Sequence, residues 1–172
     1  MNRKITPELS GYTWVEMLIV VSILGVLSAT IIPSFSHHWR DERLNTAAKI
    51  ITAWIEDQRK RAIQNSSPCD ITFDSQESNF TVLCTHETSG LSPLTIQDLV
   101  DNGADVNIVS NSGITTSWAF TPRGTTTDLV ELRLTLKGHD DLGRCIQVTK
   151  PLGLVRSTRL NSQGRCDYTT AF

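Results

Sequence analysis

The sequence predicts an α+β fold: a long N-terminal helix packed against a C-terminal antiparallel β-sheet domain. Three observations predict it. An apolar run from Met17 to Ile32 passes directly into a segment whose apolar residues recur at three- and four-residue steps. At Cys69 that rhythm gives way to short alternating runs. All four cysteines lie beyond the helix, at 69, 84, 145 and 166. With 172 residues, 39% hydrophobic and 20% charged, the chain has room for one globular domain of about 100 to 150 residues plus one long extra element.

The helix is expected from Tyr12 to about Asn65, some 75 Å at 1.5 Å per residue. Its first half is apolar all round and long enough to cross a hydrocarbon core of about 30 Å. Its second half carries one stripe, Leu44, Ala47, Ala48, Ile51, Trp54, Ile55 and Ile63, with charged residues around most of the remaining circumference. Such a stripe needs a sheet to cover it. The segment NSSP, 65 to 68, ends the helix. Arg59, Lys60 and Arg61 are expected to be a solvated helix end, favoured by the dipole.

Strands are expected at 70–74 and 79–85, joined as a hairpin through SQES, and at 105–110, 115–120, 129–137, 144–150 and 152–160. Segment 86–104 reads as a loop with a helical turn at 96–100. Cys69 and Cys84 bracket the first hairpin and Cys145 and Cys166 the last, so two local disulfides are expected among the three connectivities four cysteines allow. No C-x-x-C or His pair at ligand spacing accompanies them, and no metal or cofactor is expected. The sequence contains no G-x-S-x-G, P-loop or H-E-x-x-H, and its histidines are scattered at 37, 38, 86 and 139. A structural rather than catalytic role follows.

Charge divides the β-rich part. Residues 70–132 hold nine Asp/Glu against Arg123 alone, whereas 133–172 hold seven Lys/Arg against three Asp. An anionic partner would therefore be sought on the C-terminal strands. At the other end, Arg3 and Lys4 precede the apolar run, while Arg40 and Arg43 after it are offset by Asp41 and Glu42. The positive-inside bias leaves the N-terminus cytoplasmic and the β-rich part outside.

Glu16 is the anomaly. It is the only charge between Tyr12 and Phe35, and an unpaired carboxylate at the centre of a membrane helix costs roughly 2.5 to 3.5 kcal/mol. A signal peptide would be cut after the apolar run, and a plain anchor leaves the carboxylate unexplained. A cut before the run, after Gly11, would free an amine at Tyr12 to pair with a carboxylate of a neighbouring copy.

Gly11, Tyr12, Thr13, two bulky residues, Glu16 and MLIVVSILGVLSATIIP resemble the type III signal of type IV pilins and pseudopilins, G-F-T-L-I-E-L-L-V-V, with Tyr12 for Phe and Trp14 for Leu. The resemblance implies cleavage between Gly11 and Tyr12 by a prepilin peptidase, N-methylation of Tyr12, an assembly role for Glu16 and a helix kink at Pro33. It divides the chain into a leader (1–11), a transmembrane and assembly half-helix (12–36), an amphipathic half (37–66) and an extracytoplasmic β-rich domain (69–172). TSWAFTPRGT, with Phe120, Pro122 and Gly124, and the cysteine-bounded RCIQVTKPLGLVRSTRLNSQGRC resemble the GspH/FimT group of minor pilins and pseudopilins.

That group implies a subunit that helps initiate or cap a type IV pilus or type II secretion pseudopilus. Its partners would be other pilin or pseudopilin subunits, the peptidase and the bacterial inner membrane. A second reading is DNA capture for natural transformation. Some relatives use a G-R-x-R element, matched here by Gly153, Leu154, Val155 and Arg156, so only the second arginine is kept. Arg159 and Arg165 are the residues that would compensate by contacting phosphates. A third reading is a membrane-tethered module unconnected with filaments.

Overall fold

The computed structural model describes residues 11–85, 93–95, 106–161 and 163–168, the side chains at 30–37, 140 and 141 excepted. The chain divides into two compact units, Met1–Trp39 and Arg40–Phe172. One helix, α1 (Trp14–Gln64), contributes to both.

α1 begins where the sequence supplies a cap. Thr13 is the N-cap: its hydroxyl accepts the Glu16 backbone N–H at 3.3 Å, and its carbonyl accepts from Met17. Thr-x-x-Glu is the capping-box spacing, and the acid in the first turn suits the positive end of the helix dipole. The helix runs without a break through Pro33. Its other end is a Schellman closure, with Ser66 N–H donating to Ile63 O and Ser67 N–H to Ala62 O. Ser66 takes the left-handed conformation (φ 49°) that usually falls to glycine, and Pro68 follows.

In the N-terminal unit the helix is apolar and uncovered. Val15, Met17 to Val21, Ile23, Leu24, Val26 and Leu27 expose between 48% and 69% of their surface, Ser22 aside. Ser22 and Ser28 turn their hydroxyls back onto the carbonyls of Leu18 and Leu24, which satisfies both within the helix. Among the described residues no helix is long and apolar enough to cross a membrane. The described side chains of the apolar run end at Ala29.

In the second unit α1 lies over two four-stranded sheets. The first has the order β3-β2-β1-β5 and the second β4-β6-β7-β8. The strands are β1 (Cys69–Asp74), β2 (Asn79–Cys84), β3 (Leu94–Thr95), β4 (Val106–Ser110), β5 (Thr115–Phe120), β6 (Val130–Leu136), β7 (His139–Thr149) and β8 (Leu154–Arg159). Every pairing is antiparallel. The core joins Leu44, Ala47, Ala48, Ile51 and Ile55 of the helix to Ile71, Phe73 and Phe80 of the first sheet and Ile108, Leu132, Leu134 and Ile146 of the second. Trp54 and Phe73 flank Phe80 with ring centroids 5.7 and 4.6 Å away, within the range of favourable aromatic pairs.

Several expectations change. There are eight described strands rather than seven, because Leu94–Thr95, expected as loop, pairs with Asn79 and Phe80. The turn expected at 96–100 lies outside the described residues. β7 starts at His139 instead of 144: a shift of register at Thr135/Leu136 lets the strand continue past the expected break. β8 starts at Leu154, since Leu152 and Gly153 form the turn before it. Ile63 leaves the stripe with 43% exposure, and Gln58 and Ala62 take its place. From Ile55 the buried row steps by three and four to 58 and 62, and Ile63 is rotated about 100° beyond it.

Both disulfides are local. Cys69–Cys84 joins directly opposed residues of β1 and β2, with Cα atoms 4.1 Å apart. Cys145–Cys166 ties the chain after β8 onto β7.

Candidate functional site

The functional candidates fall into separate groups. Gly11, Tyr12 and Thr13 precede the helix and are exposed, and among the described residues no atom beyond its chain neighbours lies within 4 Å of where a Gly11 Cβ would stand. Glu16 is exposed, and its carboxylate has no partner among the described residues. Its backbone is engaged in the cap, so the helix fixes where the carboxylate stands while leaving its charge unmatched.

The arginines of the C-terminal strands do not form one patch. β8 alternates, so Arg156 and Arg159, three residues apart, point to opposite faces. Arg159 lies opposite Arg144 of β7, and both reach Asp41 of α1, at 3.5 and 2.8 Å. The Arg144 side chain is 6% exposed and that of Arg159 71%. Arg156 shares the other face with Thr158, whose hydroxyl donates to Asp167 O. Arg165 lies in the same returning tail, which Cys166 fastens to Cys145. Arg156 and Arg165 are therefore on one side of the sheet and Arg159 on the other. Of the seven basic residues after Arg133 inclusive, Arg144 is internal and Arg159 is already matched to an acid.

Removing Asp41 strands a buried guanidinium. Asp41→Ala is expected to lower stability by about 2 to 3 kcal/mol and Arg159→Ala by less than about 1. Arg144→Met added to Asp41→Ala should recover most of the loss, because an apolar side chain leaves no buried charge. Urea unfolding of the full chain in detergent micelles measures all three. Equal effects of the two single alanine variants would show that Asp41 does not hold a buried cation.

Arg59 corrects the expectation of a wholly solvated helix end. Its guanidinium donates to Gly124 O at 2.8 Å and Leu152 O at 3.1 Å. It thereby clasps two turns to the helix: 121–125, after β5, and 150–153, between β7 and β8. The turns also touch each other. Thr126 N–H donates to Pro151 O, and a Cβ at Gly153 would lie 2.5 Å from Gly124 O and 3.1 Å from the Phe120 ring. The spacing Phe120-x-Pro122-x-Gly124 thus builds a junction where the ends of both sheets meet the end of α1.

Solved structures with this architecture exist. The chain matches the type IV minor pilin FimU of Pseudomonas aeruginosa with a TM-score of 0.53 and 17% identity, over 71% of this chain and 91% of that one. It matches the minor pseudopilin EpsH of the Vibrio cholerae type 2 secretion system with a TM-score of 0.53 and 14% identity, over 68% and 97%. The chain has the minor-pilin fold. No family model and no curated protein matches the sequence.

Within the minor-pilin fold, Tyr168 marks where the returning tail meets β6. Burial pushes its phenol well above the usual tyrosine range, the carboxylate of Glu131 adds to the rise, and Arg133 opposes it. Its hydroxyl has no hydrogen-bond partner among the described residues. Among those residues, too, no group of three His, Cys, Asp or Glu is placed to hold a metal ion.

Sequence reasoning missed Arg59, Asp41 and Arg144 as organising residues. The signals were present in the letters but not in their order: each interaction spans 65 to 103 residues.

Proposed function

We propose that the chain is a minor pilin or pseudopilin, a structural subunit that helps initiate or cap a type IV pilus or type II secretion pseudopilus. The observation that carries this reading is Glu16: an exposed carboxylate without a partner, one turn into the bare apolar helix of a minor-pilin fold. A prepilin peptidase cuts between Gly11 and Tyr12, and the amine of Tyr12, N-methylated, supplies the missing cation to Glu16 of the adjacent subunit. Until assembly, residues 12–36 sit in the inner membrane with the N-terminus cytoplasmic. The two inward-bonded serines suit that environment, where unsatisfied polar groups are costly. The β-rich unit is extracytoplasmic, a setting in which two disulfides persist.

DNA capture has less support from the geometry, since Arg156 and Arg159 face apart and Arg159 already meets Asp41. Of the three candidate arginines, that leaves Arg156 and Arg165 to a polyanion.

The test separates charge from capping. Glu16→Gln keeps a side chain able to complete the capping box but removes the charge. It is expected to reduce incorporation into sheared filaments by about tenfold or more, as much as Glu16→Ala, because a buried ion pair that loses one member leaves the other charge uncompensated. Immunoblots of sheared and membrane fractions measure it. Normal incorporation of Glu16→Gln, with Glu16→Ala defective, would make Glu16 a helix cap rather than an assembly charge.

A further inference from the structure

A trough of about 610 Å³ lies on the face of the second sheet turned away from the helix. Its floor is β6, where Glu131 and Arg133 stand two residues apart and so project to the same side. β4, paired with β6, continues the floor with Asn107 and the half-exposed Val109, and the returning tail borders it with Leu160 and Gln163. Asn111 closes one end. It is held there by exchange with Glu131, its N–H donating to Glu131 O and its side-chain oxygen accepting Glu131 N–H.

The lining narrows the ligand. The trough sets an acid beside a base, so a polyanion gains from Arg133 what it loses to Glu131. Among the described lining residues only Val109 and Leu160 are apolar, too little surface for a lipid chain. Among the described lining residues none is aromatic, so no ring is offered to a sugar face. Carboxamides, which both donate and accept, match the alternating N–H and C=O of a peptide backbone. The charges are spaced as they would be on an extended chain: residues i and i+2 of a strand are about 6.6 Å apart, on either side of the interface. β4, five residues or about 17 Å long, borders the trough along its whole length.

We infer that this trough binds an extended peptide segment carrying one basic and one acidic side chain two residues apart, the base over Glu131 and the acid over Arg133. The site is independent of the N-terminal helix and of the processing signal, so it stands or falls separately from the filament role.

The test uses the full chain in detergent micelles, panned against a phage-displayed random heptapeptide library, with enriched sequences resynthesised and titrated by fluorescence polarisation. The expected result is a consensus with opposite charges at i and i+2. Binding should weaken by about tenfold in Glu131→Arg and in Arg133→Glu. The double reversal should prefer the same peptide with its two charges exchanged. Both side chains lie on the solvent side of the sheet, and circular dichroism of each variant checks that the fold is kept. The inference is overturned if no consensus emerges, if both single reversals bind the enriched peptides as the parent does, or if a glycan array yields a saccharide whose binding is lost in Asn107→Ala while no peptide binds.

Discussion

Gly153→Ala is expected to destabilise the chain by about 3 kcal/mol or more, the sum of two separate effects. At φ +63° an L side chain costs roughly 1 to 2 kcal/mol. The added methyl would also stand 2.5 Å from Gly124 O and 3.1 Å from the Phe120 ring, and a backbone oxygen cannot swing aside as the end of a flexible side chain can. That oxygen is already engaged, since Arg59 donates to it at 2.8 Å. Forcing it away would break the Arg59 bond and open the junction between the two sheets and the helix. Gly138→Ala is the matched control, because Gly138 has φ +80° and nothing near its missing Cβ. It should cost only the conformational part, about 1 to 2 kcal/mol. Urea unfolding of the full chain in micelles compares them, and equal losses would show that the Gly153 contact is not a close one.

The same junction shows what the sequence could and could not reveal. Locally encoded features were legible: the helix stop at NSSP, and the hairpin whose opposed residues 69 and 84 are both cysteines. Strand alternation was legible wherever one face is buried, as in β4, where Val106, Ile108 and Ser110 point inward and Asn107 and Val109 outward. The division into two sheets was not. β4 and β5 are neighbours in sequence but pair with β6 and β1 respectively, and no local pattern distinguishes one partner from another. Arg59 sits in a run of three basic residues and reads as solvated, because its acceptors are carbonyls of distant turns, and carbonyls leave no mark in the sequence. Arg144 counted toward a basic surplus, yet it is the most enclosed charge described in the C-terminal strands, and the acid that makes this affordable lies 103 residues earlier. Charge tallies along a chain thus overstate the surface charge wherever long-range pairs are present.

Gly11→Val is expected to abolish processing, so that only the full-length precursor is recovered from membranes containing a prepilin peptidase. The structure makes this substitution unusually clean to interpret. Gly11 is exposed, precedes the first helical residue by three, and among the described residues meets nothing where a side chain would grow. Valine therefore adds no clash with the described residues and leaves the Thr13 cap and the β-rich unit untouched, so its unfolding midpoint should equal that of the parent. Loss of cleavage with unchanged stability would then report on recognition by the peptidase, whose site must accept the residue before the cut, and not on misfolding. N-terminal sequencing of the membrane fraction decides the matter. Mature protein beginning at Tyr12 in the valine variant would overturn the peptidase reading. Without the cut no amine is freed at Tyr12, and the unpaired carboxylate of Glu16 would then need a different partner.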